Sequence, residues 1–427
     1  MTTSSASTRQ LVPDRVVLSN GIVLLVAHNP TVDVVAARFL LRAGSLFETS
    51  ATAGLTSLLA AVLTKGTLQH SSFEIAEQIE YAGAGLGTDA TTDYFWVSLK
   101  SVVQDFPQLL TLVAELIQQP SFPEAELELE RRLHLQAIRS QQERPLSIAF
   151  DLMREALYSE HPYAFPSLGT QESITQLTQV HLQRFHQQYF RPDNLVISIA
   201  GNLTLATAQQ QVEAAFGRWT VEPDSSQLPV ELELPGIQPS GQQHTQVQDT
   251  QQAIVMLGYL APSVHRDDYA AVKLLATYLG NGMSSRLFVE LREKRGLAYD
   301  VSVIFPTRLE TAPFVTYMGT APQNTAIAIE GLRHEVERLS DHQLTASELQ
   351  TTKTKLLGQY ALGKQTNAQI AQIFGWYEIL GLGLAFDLNF QTAIQAVTAE
   401  DLQHAAAQYC QTPTLAVVGP QAAMDLL

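Results

Sequence analysis

The strongest constraint on the fold is an order of elements that occurs twice along the 427 residues. In the first half, Arg15–Leu18 and Ile22–Val26 flank Asn20-Gly21, a dipeptide that supplies the positive φ angles of a two-residue hairpin turn. The apolar, β-branched run Val34–Leu41 predicts a buried strand of the same sheet. Leu55, Leu58, Leu59, Val62 and Leu63 fall at i, i+3, i+4, i+7 and i+8, one face of a helix over 53–64. A helix over 72–82 leads into Gly83, Gly85 and Gly87, and a strand over 93–99 follows. Helical patterns over 103–118, 124–142, 146–157 and 178–189 precede a closing strand at 194–200.

Between 221 and 243 the composition shifts to Pro, Ser, Gln and acidic residues, with Pro223, Pro229, Pro235 and Pro239, and this stretch reads as a linker. Beyond it the order returns: a strand at 253–259, helices at 267–279 and 284–294, strands at 298–305 and 314–318, helices at 325–339, 346–362, 370–379 and 399–409, and a last strand at 415–418. We read a tandem duplication of two α+β domains, 1–220 and 244–427. Two unrelated α+β domains are the alternative.

Apolar residues make up 45% and charged residues 16%, a globular composition with few charges for its surface. The formal charge of −16 argues against a nucleic-acid partner, which needs a basic face. A single cysteine, Cys410, excludes a disulfide framework or a thiolate metal cluster within one chain. Met1–Gln10 is polar without an apolar signal core, and no apolar run reaches the length of a membrane span. The expectation is a soluble, cytoplasmic protein.

The stretch Gly54-Leu55-Thr56-Ser57-Leu58-Leu59-Ala60-Ala61-Val62-Leu63-Thr64-Lys65-Gly66-Thr67 resembles the active-site helix of the pitrilysin and mitochondrial-processing-peptidase family, where H-x-x-E-H sits between Gly-Leu and Lys-Gly-Thr. Residues at i, i+3 and i+4 share one helical face, so two histidines can ligate one zinc while the glutamate acts on the metal-bound water. Ser57, Ala60 and Ala61 hold those positions here. An Oγ hydroxyl and two methyl groups neither ligate zinc well nor take a proton. The family's third ligand is a glutamate in a helix patterned like Glu130–Ile138, and Ala137, 76 residues beyond Ala61, stands in its place. The resemblance therefore implies no catalytic residue and no zinc on this chain. The histidines offer no substitute: His181 and His186 are five apart and diverge, and Glu160-His161 has Leu157 where a first histidine would stand.

Residues 280–301, from Gly280 through Ser284-Ser285-Arg286-Leu287-Phe288 to Arg292 and Tyr299, resemble the family's C-terminal signature. There an arginine and a tyrosine seven apart reach the substrate. In residue terms, Ser284 can cap a helix and Gly296 can end it in the left-handed conformation, with Arg292 projecting from the last turn. Tyr299, Val301 and Val303 alternate onto one strand face. A guanidinium and a phenol can donate to a peptide carbonyl, and the alternative is a surface ion pair and a packed ring. Gly280-x-Gly282 lacks the lysine and third glycine of a phosphate loop. Gly83, Gly85 and Gly87 let an extended peptide approach a sheet edge or form a flexible turn.

The resemblance runs from Leu18-Ser19-Asn20-Gly21 to the last strand. It implies two homologous domains, each a mostly antiparallel sheet packed with helices, and two chains enclosing a peptide-sized chamber. It further implies a non-catalytic, substrate-binding subunit of a heterodimeric zinc endopeptidase acting on peptides or presequences, with zinc in a homologous partner that has an intact motif. A homodimer of the isolated chain, a scaffold without a peptidase role, and a peptidase with an unconventional site are the alternatives.

Overall fold

The computed structural model describes residues 11–221, 234–238 and 241–427. The polar start Met1–Gln10 and most of the proline-rich linker, including Pro223, Pro229 and Pro239, lie outside the described residues.

The first half supplies β1 (Asp14–Val17), β2 (Val23–His28), β3 (Val34–Leu41), β4 (Gly85–Ala90), β5 (Phe95–Val102) and β6 (Leu195–Gly201). They form one sheet in the order β1-β2-β6-β3-β5-β4. The second half supplies β7 (Gln243–Val247), β8 (Ala253–Ala261), β9 (Asp300–Ile304), β10 (Ala312–Thr320) and β11 (Thr414–Gly419), in the order β7-β11-β8-β10-β9. With β1 set aside the two orders superpose strand for strand. Even the single parallel contact recurs, β2 with β6 and β7 with β11, while every other pair is antiparallel. The two halves thus share one sheet topology.

Alternation along the strands explains how each sheet is buried. Val35, Ala37, Phe39 and Leu41 of β3 face one way, into a core closed by the helix Leu55–Leu63 and its neighbours. Leu40 faces the other way with Leu25, Val196 and Ala200. In the second sheet Val255, Leu257 and Tyr259 join one core, while Ile254 and Met256 turn to the opposite face. β6 and β11 are buried at every residue because both of their faces are covered, so they read as continuous apolar runs.

The covering of the second faces is exchanged between the halves. The helix Pro145–Tyr158 of the first half packs Ile148, Ala149, Met153 and Leu157 on the second sheet. The helix Asn367–Ile379 of the second half packs Ile370, Ala371, Phe374 and Tyr377 on the first. Glycine makes both contacts close: a Cβ at Gly258 would meet Met153 Sδ at 2.2 Å, and one at Gly375 would meet Leu40 Cδ1 at 2.6 Å. Arg15 adds an ion pair to Glu378 at 2.8 Å, and Asn367 donates from Nδ2 to the Val34 carbonyl at 2.9 Å.

The expected two-residue hairpin turn is a three-residue loop. Leu18 N–H donates to the Ile22 carbonyl at 2.9 Å and Gly21 N–H to the Leu18 carbonyl at 3.0 Å. Only Gly21 has positive φ, at 96°, which is the pattern of a turn closed by a left-handed glycine. Several elements escaped the periodicity argument: the helices Leu205–Phe216 and Phe386–Ala396, and the strands β4 and β7, whose residues are too polar or glycine-rich to register as apolar runs.

Candidate functional site

The helix Leu55–Leu63 starts on a buried carboxylate. Glu48 accepts from the N–H groups of Gly54 and Thr56 at 2.8 and 2.7 Å and from Thr56 Oγ1 at 2.6 Å. Two donors of the first turn are thus satisfied, and the negative charge faces the positive end of the helix. Burial nevertheless pushes the Glu48 carboxyl up to about 7, outweighing the three donors that favour its ionised form.

Opposite this helix lies Glu124–Gln142, with Glu130, Arg131, His134 and Ile138 buried. The structure brings Ser57 and His134 together, with Ser57 Oγ 3.2 Å from His134 Nε2. His134 Nδ1 is 3.1 Å from the carbonyl of Glu130, an acceptor, so Nδ1 carries the proton and the Ser57 hydroxyl donates to Nε2. Burial lowers the His134 pKa and keeps the ring neutral. A few residues away Lys65 Nζ pairs with Glu130 at 2.9 Å. One hydrogen bond and one ion pair therefore tie together the two helices that carry the motif positions.

This donor set does not fit zinc. Ala60 is buried and Ala61 and Ala137 are partly exposed, and all three present methyl groups. Ser57 already spends its hydroxyl on His134. Among the described residues no group of three or more His, Cys, Asp or Glu side chains is arranged to hold a metal ion. A serine beside a histidine is also half of a nucleophile–base pair, but Ala60 and Ala61 add no donor for an oxyanion, and His134 is anchored to its own helix. His134 was not singled out from sequence. The available signal is its position three residues before Ala137, which puts both on one helical face.

The three histidines weighed from sequence as substitutes, His161, His181 and His186, have structural partners. His161 Nδ1 accepts from Tyr163 N–H at 3.0 Å, and His181 Nδ1 accepts from Thr178 N–H at 3.0 Å. His186 Nε2 is 2.8 Å from the Ile117 carbonyl, and burial lowers the pKa of His161 and of His186 to about 4.

Gly85 and Gly87 lie on β4, the terminal strand of its sheet, and Gly83 just precedes it at φ 57°. A Cβ at Gly83 or Gly85 would meet nothing within 4 Å. β4 is joined to the helix Leu55–Leu63 by Thr88 Oγ1, which donates to the Ala60 carbonyl at 2.7 Å. The glycine strand thus borders the helix Leu55–Leu63.

Arg292 and Tyr299 occupy the equivalent region of the second half, ahead of the terminal strand β9. The expected helix over 284–294 is a π-helix at Phe288–Lys294, a form concentrated at functional sites. Ser284 does not cap it: the helix begins beyond Ser285, whose carbonyl accepts from Val289 N–H at 3.0 Å, and Ser284 Oγ instead lies 3.4 Å from Lys355 Nζ. Gly296 ends it as expected, at φ 60°, with Leu297 N–H donating to the Leu291 carbonyl and Gly296 N–H to that of Arg292. Leu287 and Leu291 are buried beneath. The Arg292 guanidinium is exposed, 4.9 Å from the Phe288 ring centre. Tyr299 is 58% exposed, where Val301 is buried, and its N–H donates to the Gly319 carbonyl at 2.9 Å. Among the described residues neither side chain has a hydrogen-bond partner, and no cation–π contact joins the two.

Two family models match this chain: one described as "Insulinase (Peptidase family M16)" over residues 23–171 and one described as "Peptidase M16 inactive domain" over residues 176–356. The chain is a homologue of the M16 zinc peptidases. Among curated relatives, an uncharacterized zinc protease of Streptomyces coelicolor is 28% identical over 95% of this chain and 89% of its own length. YmxG of Bacillus subtilis, likewise an uncharacterized zinc protease, is 27% identical over 96% of this chain and 99% of its own. A crystal structure of a peptidase M16 inactive domain from Pseudomonas fluorescens superposes with a TM-score of 0.87 at 25% identity, covering 96% of this chain and 98% of that one. A protease from Helicobacter pylori shares the fold, with a TM-score of 0.88 at 21% identity. In this M16 homologue no metal-holding group of side chains is present among the described residues, and a hydrogen bond and an ion pair join the helix Leu55–Leu63 and its flank to the helix Glu124–Gln142. No helix among its described residues is long and apolar enough to cross a membrane.

Proposed function

We propose that this M16 homologue is the non-catalytic, substrate-binding subunit of a heterodimeric zinc metalloendopeptidase that acts on peptides or presequences. The observation that carries the reading is the contrast between the two halves. The motif helix has exchanged its metal donors for Ser57, Ala60, Ala61 and Ala137 and is tied to its neighbour through His134. Arg292 and Tyr299 stay exposed with their donors unused. A guanidinium and a phenol in that state are available to a peptide carbonyl.

In this proposal a homologous partner with an intact motif supplies zinc, base and water, and the two chains enclose a peptide-sized chamber. Arg292 and Tyr299 hold the substrate main chain, and the terminal strand at Gly83, Gly85 and Gly87 accepts an extended segment by strand addition. Large apolar side chains exposed near both blocks, Leu68, Phe73 and Tyr81 near the first and Met283 near the second, offer contact area to partner or peptide.

The test combines the purified chain with a zinc-motif homologue from the same source and follows cleavage of an unfolded peptide. The mixture is expected to cleave faster than the homologue alone, and Arg292→Ala is expected to raise KM by about tenfold, the loss of one charge-assisted hydrogen bond. A mixed complex whose KM and kcat ignore Arg292→Ala rules out the substrate role. Absence of any stimulation favours a scaffold.

A further inference from the structure

The face of the first sheet opposite the motif helix carries a charge that the fold does not neutralise. Arg38 stands on β3 beside Leu40, on the face covered by the exchanged helix Asn367–Ile379. That helix lies over β2, β6 and β3 and leaves a cavity of about 440 Å³ along its flank. Arg38, Tyr94, Gln369, Gln372, Ile373 and Trp376 line it. Such a volume is of the size that small-molecule sites occupy.

Arg38 is held in one pose. Its Nε donates to Gln372 Oε1 at 2.8 Å, and its guanidinium lies 5.2 Å from the Trp96 ring centre. Nη1 makes one long contact, 3.4 Å, to the Ala37 carbonyl. Among the described residues Nη2 has no acceptor and no carboxylate lies within ion-pair distance of the guanidinium. Six other arginines, Arg15, Arg131, Arg154, Arg191, Arg266 and Arg286, each have a carboxylate within 4 Å. Arg38 is partly buried, and the loss of water lowers its pKa. A half-buried cation without a counter-ion costs free energy that a bound anion recovers.

We propose that this cavity binds a carboxylate carried on an apolar group, with the Arg38 guanidinium pairing the carboxylate and Trp376, Ile373 and Tyr94 receiving the apolar part. The planar fork suits a carboxylate in two-point contact, and the orientation fixed by Gln372 and Trp96 lowers the entropy lost on binding. The Gln369 amide is a further donor on the same wall. A small aryl or alkyl acid and the C-terminal end of an apolar peptide present the same chemistry. The site does not rest on the roles proposed for Arg292 and Tyr299, because it lies across the sheet from the motif helix and needs no partner chain.

The full chain is titrated with 4-phenylbutyrate and its amide, and with the tripeptide Ala-Leu-Phe as free acid and as C-terminal amide. Calorimetry and the fluorescence of Trp96 and Trp376 follow binding. Both acids are expected to bind more tightly than their amides by roughly tenfold or more, and added salt weakens only the acids. Arg38→Gln is expected to bring the acids down to the affinity of the amides, with Arg38→Lys between the two. A tripeptide acid that binds more tightly than phenylbutyrate assigns the site to peptide ends, and the reverse assigns it to small acids. Equal binding of acids and amides, binding of none of the four probes, or a folded Arg38→Gln chain with undiminished acid affinity overturns the proposal. The acid–amide comparison is made on the unaltered chain, so it decides the matter even where a variant folds poorly.

Discussion

Replacing Phe374 by alanine tests whether the two halves are locked by their exchanged helices. Phe374 belongs to the second half, is 2% exposed, and sits against Leu25, Leu40, Val196 and Ala200 of the first sheet. A phenyl side chain buries roughly 200 Å², which at about 25 cal/mol per Å² amounts to about 5 kcal/mol as an upper bound. Alanine keeps part of that contact, but the edge-on packing with Tyr377, at 5.7 Å and 86°, is lost. The expected cost is about 4 kcal/mol, inside the range for phenylalanine-to-alanine changes in cores. That corresponds to close to a thousandfold in the equilibrium for opening. Hydrogen exchange read by mass spectrometry on peptides spanning 23–28 and 195–201 should show this loss of protection, although the substitution lies in the other half of the chain. If those strands exchange at wild-type rates while residues 325–427 lose protection, the helix is not what stabilises the first sheet, and the account of the interlock is wrong.

The tie between Ser57 and His134 is open to a double-mutant cycle. Ser57→Ala strands a buried His134 nitrogen and should cost about 1–2 kcal/mol in urea unfolding, while Ser57→Ala with His134→Leu should recover about 1 kcal/mol of it; additive effects would mean that the contact contributes nothing. Glu48 should make stability fall with pH. Its carboxyl binds a proton more tightly folded, at about 7, than unfolded, at 4.5, so its contribution is full below 4.5 and is lost as pH rises through 7, to a total of about 3 kcal/mol. Glu48→Gln should flatten that slope relative to the wild type, and parallel pH profiles would refute the shift. Restoring the motif with Ser57→His, Ala60→Glu, Ala61→His and Ala137→Glu, together with His134→Leu to clear the space, should give a chain that retains zinc after dialysis, measured by elemental mass spectrometry; failure to retain it would show that the helix pair has drifted from ligating geometry.

Much of this molecule is written in local pattern. The spacing of Leu55, Leu58, Leu59, Val62 and Leu63 marks one helix, and the helices 124–142, 346–362 and 399–409 begin and end where their periodicity does. The recurrence of that order marks two halves of like topology, and the absence of His, Cys, Asp and Glu at 57, 60, 61 and 137 is a plain reading of side chains. Side-chain chemistry at a fixed position needs no fold to be read.

What only the tertiary structure decided depends on contacts between distant residues. The face that a helix buries is visible in sequence, but the sheet that it finds is not: both sheets offer apolar faces of like topology, and the helices Pro145–Tyr158 and Asn367–Ile379 each cover the other half's. The pairing of Ser57 with His134 spans 77 residues and follows from how two helices cross. The solitary charge of Arg38 is likewise a fact of packing, since an arginine in a strand gives no sign of whether an acid will reach it. Sequence determined which side chains stand at 57, 60, 61 and 137; the fold determined what they meet and that no acid among the described residues reaches Arg38, because both depend on how distant segments pack.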